Sequence, residues 1–386
     1  MNKLLKSVIG LTAIPLIGGV LAGPAVSETR ELRYAMGHPP GSFVVDAGQA
    51  YADAVGEYSN GELSVKVYAM SLLNMAETSA GLRDGIADIG FVLTPYFPAE
   101  YPHTNLLSES SMLLRLYGDK IVGKEGLAYI GAMSEFVFNH CPECNEEFAE
   151  QNQVYTGQTG GSSYGLVCRT PVKSLDDLKG KRMRVGAGNW SRWVESVGGV
   201  GITMSANEMN EALSQGVVDC IVLSAPEIHN FGLTEAVTDI TMAVPGGIFT
   251  TAGTNVNADV WRSLTEDQRR AMLHAATVEA AQIPFVYHQR EDEVLDGLRE
   301  RGVGFHDADD ELVEVTQTFI EQDMDTLATH YSEKYGVERS AEMLSDFRPI
   351  LDKWVELVQE IDSVDSLADL YWEEVFSKVD VSSHGL

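Results

Sequence analysis

The residues best equipped for chemistry are four cysteines, Cys141, Cys144, Cys168 and Cys220. Cys141-Pro142-Glu143-Cys144 has the spacing of a redox pair, of half a zinc site, or of a local disulfide. Zinc would need two more ligands. The remaining cysteines, Cys168 and Cys220, fall on two strands of the second half and are better suited to bridging each other. A redox role asks for a strand-CxxC-helix setting, which His140 and the apolar run 136–138 support only weakly. Structural disulfides are the favoured reading, with the pairing left open. For nucleophilic catalysis, Gly160-Gly161-Ser162-Ser163-Tyr164-Gly165 lacks the Gly-x-Ser-x-Gly spacing. Gly186-Ala187-Gly188 lacks the third glycine of a dinucleotide fingerprint, and no Walker-type loop occurs, so no cofactor is expected. The 386 residues carry 57 acidic and 27 basic side chains, a net charge of −30. Paired carboxylates are then too common to mark a general acid and base. The same charge repels a phosphate backbone and argues against nucleic-acid binding. It leaves room for a small anion held by a few well-placed cations.

Lys3 and Lys6 precede an uncharged apolar run, 8–22, followed by Gly23-Pro24-Ala25-Val26-Ser27 with small residues at the −3 and −1 positions of a cleavage site. Residues 1–27 therefore read as an export signal removed near Ser27. The run is shorter than the roughly 20 residues of a membrane span, and Pro15 and Gly18-Gly19 interrupt it. Export also makes disulfides the default for an even cysteine count. With 44% hydrophobic and 22% charged residues the chain is expected to fold, and its length suggests two domains.

The elements that must position any site follow from periodicity. A strand over 32–36, a loop over 37–42 and an amphipathic helix over 44–58 lead to the stop Ser59-Asn60-Gly61. Leu63, Val65 and Val67 alternate as a strand, 77–83 reads as a helix, and 88–93 as a strand. The order returns as strand 182–185, helix 190–197, strand 201–204, helix 207–214 and strand 219–223. Leu82-x-x-Gly85-x-x-Asp88 in the first half matches Leu213-x-x-Gly216-x-x-Asp219 in the second. Each reads as a helix cap turning into a strand. Parallel α/β lobes put their ligand loops at the carboxyl ends of the strands, here 37–42, 70–75, 94–98, 186–190 and 223–227. His38, Tyr96, Phe97 and Trp190 are the candidates there, with Trp193 assigned to the core. His38 would add a cation only if an acidic ligand raised its pKa.

Val244-Pro245-Gly246-Gly247 reads as a crossing. Thr265 to Gln268 forms a capping box opening a helix over 266–301, about 54 Å at about 1.5 Å per residue, with a kink expected at Pro284. Such a helix is long enough to brace both lobes. The expected division is 28–160 with 246–283 as the first lobe and 161–245 with 284–386 as the second. Helical patterns over 312–331, 342–361 and 366–375 read as scaffold.

These segments carry a resemblance that covers the mature chain. Gly37-His38, Ser59-Asn60-Gly61-Glu62-Leu63, the stretch 82–88, Asp177-Leu178-Lys179-Gly180-Lys181-Arg182-Met183-Arg184-Val185 and Ala212-Leu213-Ser214-Gln215-Gly216-Val217-Val218-Asp219 occur in order after an export signal. Together they resemble the solute-binding proteins of tripartite ATP-independent periplasmic (TRAP) transporters, of the DctP type. The resemblance implies a two-lobed α/β periplasmic-binding-protein-like fold with a hinge. It also implies a periplasmic location, no enzymatic activity, and delivery of a small organic acid to membrane permease subunits. It makes Arg184 the ligand's carboxylate clamp, since a guanidinium offers two parallel donors to a carboxylate. Tyr164 stands where many members carry a second arginine, with Arg169 further along, and Ser224 follows the strand where an asparagine is common. Loss of the second arginine leans toward a single acid group. A C4-dicarboxylate, sugar acid, 2-oxo acid, aromatic acid and sulfonate all remain open, and a monomer is expected. Two other readings are a stand-alone periplasmic sensor and a secreted hydrolase or redox protein using Cys141 and Cys144.

Overall fold

The computed structural model describes residues 29–386; the expected export signal lies outside them. Two six-stranded sheets carry the architecture. The strands are β1 Arg30–Met36, β2 Leu63–Ala69, β3 Ile89–Val92, β4 Gln153–Val154, β5 Gln158–Gly160, β6 Gly165–Cys168, β7 Arg182–Val185, β8 Val200–Thr203, β9 Cys220–Leu223, β10 Asp239–Thr241, β11 Thr250–Asn257 and β12 Gly304–Phe305. The first sheet runs β2-β1-β3-β11-β4, with β5 also paired to β11; the second runs β12-β10-β6-β9-β7-β8. The fold is thus a mixed α/β, two-lobed one. The chain enters the second sheet after β5 and returns with β11, a strand that the sequence reading passed over.

Within each sheet three strands repeat the same parallel arrangement, β2-β1-β3 and β8-β7-β9. The two αβ turns agree down to their hydrogen bonds. Arg33 donates through its backbone N–H and side chain to Asp88 and through Nη2 to the Gly85 carbonyl. Arg182 does the same with Asp219 and Gly216. Gly85 and Gly216 sit at φ 75° and 71°, the left-handed cap that glycine adopts without steric cost. The short central strands β3 and β9 are buried throughout, as expected of parallel strands covered on both faces.

The long helix Glu266–Glu300 has the expected Thr265 capping box and contains Pro284. It touches both lobes: Glu279 meets Tyr34 of β1, and Tyr287 meets Asn230 of the helix Ala225–Asn230. The C-terminal helices depart from the expected division. Ser340–Leu357 and Val364–Glu374 pack on the first lobe instead of the second. Tyr371 donates to the Leu127 carbonyl at 2.7 Å and Trp261 donates to the His384 carbonyl at 2.8 Å. The cause lies in the helix Glu125–Asn139, which is buried around most of its circumference and needs cover on the side away from the sheet. Gly131 of that helix lets the Trp354 indole approach, since a Cβ there would lie 2.3 Å from the ring. No described helix is long and apolar enough to cross a membrane.

Candidate functional site

A cavity lies between the sheets at the carboxyl ends of their parallel strands, with a free volume of about 40 Å³, the room of a few water molecules. Phe91, Leu93 and Val44 of the first lobe and Leu223, Phe231 and Phe249 make most of its wall apolar. Its polar groups are few and converge.

Arg184 comes from β7, whose register on β8 and β9 points the side chain into the gap. It is 2% exposed. Nε and Nη2 donate to the Met204 carbonyl at 3.1 and 3.0 Å, and Nη2 also donates to the Tyr96 hydroxyl at 3.0 Å. Nη1 makes no hydrogen bond, and no carboxylate pairs with Arg184 among the described residues. The two-pronged grip expected of the guanidinium is therefore narrowed, because one edge is committed to Met204. Tyr96 completes it from the opposite lobe. Its oxygen accepts from Arg184 and, at 2.8 Å, from the Ala206 backbone N–H, which frees its own proton for another acceptor.

The other candidates divide. Tyr164 lines the cavity, and burial raises its hydroxyl pKa well above the ordinary value. Trp190 stacks behind it with ring centroids 4.3 Å apart and donates to the Gly246 carbonyl at 2.9 Å. It supports the wall from behind and is not on it. Trp193 is buried as expected, bonded to Thr316. His38 lines the cavity edge-on to Phe91, and burial pushes its pKa down to about 3, so it is a neutral wall group and not a cation. Ser224 caps the helix Ala225–Asn230 behind Gly161, its hydroxyl unpartnered among the described residues. Phe97 packs against Tyr101, and Arg169 is exposed at the end of β6.

Among the wall residues that the sequence did not single out, Glu227, Tyr287 and Phe249 matter most. Glu227 lies in the loop 223–227 that was expected to face the cleft, yet acids are so numerous that none stood out. Tyr287 was read as part of the long helix's apolar stripe. Phe249 lies in the crossing before β11. Glu227 is 9% exposed, accepts from Tyr287 Oη at 2.6 Å and Asn230 Nδ2 at 3.0 Å, and burial raises its pKa against those two donors and the Arg184 charge.

The cysteines pair as Cys141–Cys144 and Cys168–Cys220. Cys168 and Cys220 face each other across β6 and β9. Cys141 and Cys144 are 1% and 0% exposed at the start of the helix Pro142–Glu150, which offers a thiol-exchange partner no access.

Two lobes thus enclose a small, mostly apolar cavity whose buried Arg184 guanidinium pairs with no carboxylate among the described residues. The model of bacterial extracellular solute-binding protein family 7, DctP, matches residues 142–331. An outer membrane transporter protein, TsaT, from Comamonas testosteroni is 23% identical over 270 residues, 69% of this chain and 76% of its own. Among solved structures, DctP7 of Bordetella pertussis, a receptor binding pyroglutamic acid, is 20% identical with a TM-score of 0.66, covering 83% of this chain and 100% of that one. A TRAP periplasmic solute-binding protein from Bordetella bronchiseptica, with bound mandelate, is 19% identical with a TM-score of 0.70, covering 84% and 99%. The DctP family model thus covers just under half of the chain, and the solved receptors share its fold over most of its length.

Proposed function

We propose that this protein captures a small organic acid in the periplasm and delivers it to TRAP membrane permease subunits, with Arg184 clamping the carboxylate. The observation that carries the reading is a guanidinium 2% exposed and without a carboxylate partner. A buried charge requires compensation, and an anionic ligand supplies it at Nη1, with the Tyr96 proton as a second donor. The neighbours named for pyroglutamate and mandelate support a monocarboxylate. The sheet of each lobe contributes one half of this grip, so the ligand favours the closed form. No covalent step is involved. The test is thermal unfolding of residues 28–386 with a panel of organic acids, beside Arg184→Ala. A ligand at about 100 times its Kd adds roughly 2.7 kcal/mol, a shift of a few degrees. The shift is expected to vanish in the variant; an equal shift in both proteins would remove Arg184 from the site.

A further inference from the structure

The cavity wall also holds a carboxylate that the clamp does not use. Glu227 lines the same cavity as Arg184, yet the two make no ion pair among the described residues. Its surroundings fix its role as an acceptor. Asn230 is oriented by its Oδ1, which accepts from the Phe43 backbone N–H at 2.9 Å. Its Nδ2 must then donate, and it does so to Glu227 Oε2 at 3.0 Å and to Tyr287 Oη at 2.9 Å. Tyr287 in turn passes its proton to Glu227 Oε1. Each carboxylate oxygen thus receives one protein donor and keeps a lone pair, on a residue that forms part of the cavity wall. Two donors on the protein side suit a carboxylate, since glutamine has one acceptor oxygen and would set its amide N–H against the second donor.

We infer that Glu227 is a second recognition point: it receives a hydrogen-bond donor, a hydroxyl or an amide N–H, carried by the same ligand whose carboxylate Arg184 holds. The inference rests on the organic-acid reading and narrows it to carboxylic acids with a donor close to the acid group. A ligand without that donor would seal Glu227 from water with its lone pairs unpaired, and sites built for a polar group reject analogues that lack it.

The test is calorimetric titration of the full mature chain with matched pairs: lactate and propionate, mandelate and phenylacetate, pyroglutamate and cyclopentanecarboxylate. For whichever pair binds, the donor-bearing member is expected to be about 10- to 100-fold tighter. In Glu227→Gln that ratio should fall to within about 3-fold, mainly through weaker binding of the donor-bearing member. The wild-type ratio stands whether or not the variant folds. Equal binding of both members, or a ratio retained in Glu227→Gln, overturns the role of Glu227 and leaves the clamp intact. Absence of binding by every acid overturns the organic-acid reading itself, and this inference with it.

Discussion

Two buried ionisable side chains are accommodated in opposite ways. Arg184 is given oxygen atoms, the Met204 carbonyl and the Tyr96 hydroxyl, so its environment suits a cation. Glu279, fully buried in the long helix, is given almost none: its two oxygens share the Tyr34 hydroxyl at 2.9 and 3.0 Å, while that hydroxyl also reaches the Gly253 carbonyl at 2.8 Å. Tyr34 has one proton to give. All three groups are satisfied when Glu279 keeps its own proton and donates it to Tyr34, which donates to Gly253. Burial accordingly pushes the Glu279 pKa from 4.5 up to about 8. Because the folded value is the higher, the native state binds the proton more tightly than the unfolded chain. The contribution to stability is complete below about pH 4.5 and is lost as pH rises to about 8, by an amount on the order of a few kcal/mol. Melting temperatures of wild type and Glu279→Gln measured from pH 5 to 8.5 are expected to show a steeper alkaline decline for wild type. Parallel profiles would mean that Glu279 is ionised in the fold.

At the scale of elements, the two lobes are the same αβ unit used twice, and the second is locked by a covalent bond that the first lacks. Cys168–Cys220 joins β6 to β9 with a sequence separation of 52, whereas Cys141–Cys144 spans a separation of 3. Loop-closure entropy then assigns about 4 kcal/mol to the first and about 2 kcal/mol to the second. Denaturant unfolding of Cys168→Ser/Cys220→Ser and of Cys141→Ser/Cys144→Ser is expected to rank them in that order, and the reverse ranking would refute the assignment. The repeat itself was legible because Gly85 and Gly216 occupy a backbone conformation few other residues tolerate, and each is followed by the aspartate that its arginine grips. Arg182 to Val185 was read to the residue. β11 was not, because Thr250-Thr251-Ala252-Gly253 has no alternation: the strand is buried on both faces. The packing of residues 340–386 on the first lobe was equally hidden, since amphipathic periodicity says which face is covered and not by what. Of the strand-end loops expected at the cleft, 37–42, 70–75, 94–98 and 223–227 each give a residue to the cavity wall, whereas 186–190 gives none. Glu227 and Tyr287 stayed invisible because their importance comes from bonds between segments 60 residues apart.

The whole molecule adds two constraints, closure and charge. Hydrogen bonds from several loops cross the cleft, among them Arg184 to Tyr96, the Ala206 N–H to Tyr96, Asn207 to the Gly37 carbonyl and the Phe43 N–H to Asn230. Tyr96 and Gly37 belong to the strand-end loops of the first lobe, so segments that join the lobes also form the cavity wall. A ligand held by Arg184 and Glu227 of the second lobe would meet the Tyr96 hydroxyl of the first only when these bonds form. Entry must occur in an open form, whose field is set by the net charge of −30 and not by the buried Arg184 guanidinium. An anion approaching such a surface is repelled over about 30 Å at 0.01 M salt and over about 10 Å at 0.1 M. Its association rate is thus expected to increase, on the order of a few-fold, as sodium chloride is raised from 10 to 300 mM. The dissociation rate, governed by contacts inside the closed cavity where screening is slight, should change much less. This is the opposite of the salt dependence of an ordinary ion-pair encounter. Stopped-flow mixing with a bound acid checks it, since the Trp190 ring stacked behind Tyr164 provides a fluorophore one layer from the ligand. An association rate that falls with salt would show instead that cations at the open mouth, and not the overall charge, guide the acid in.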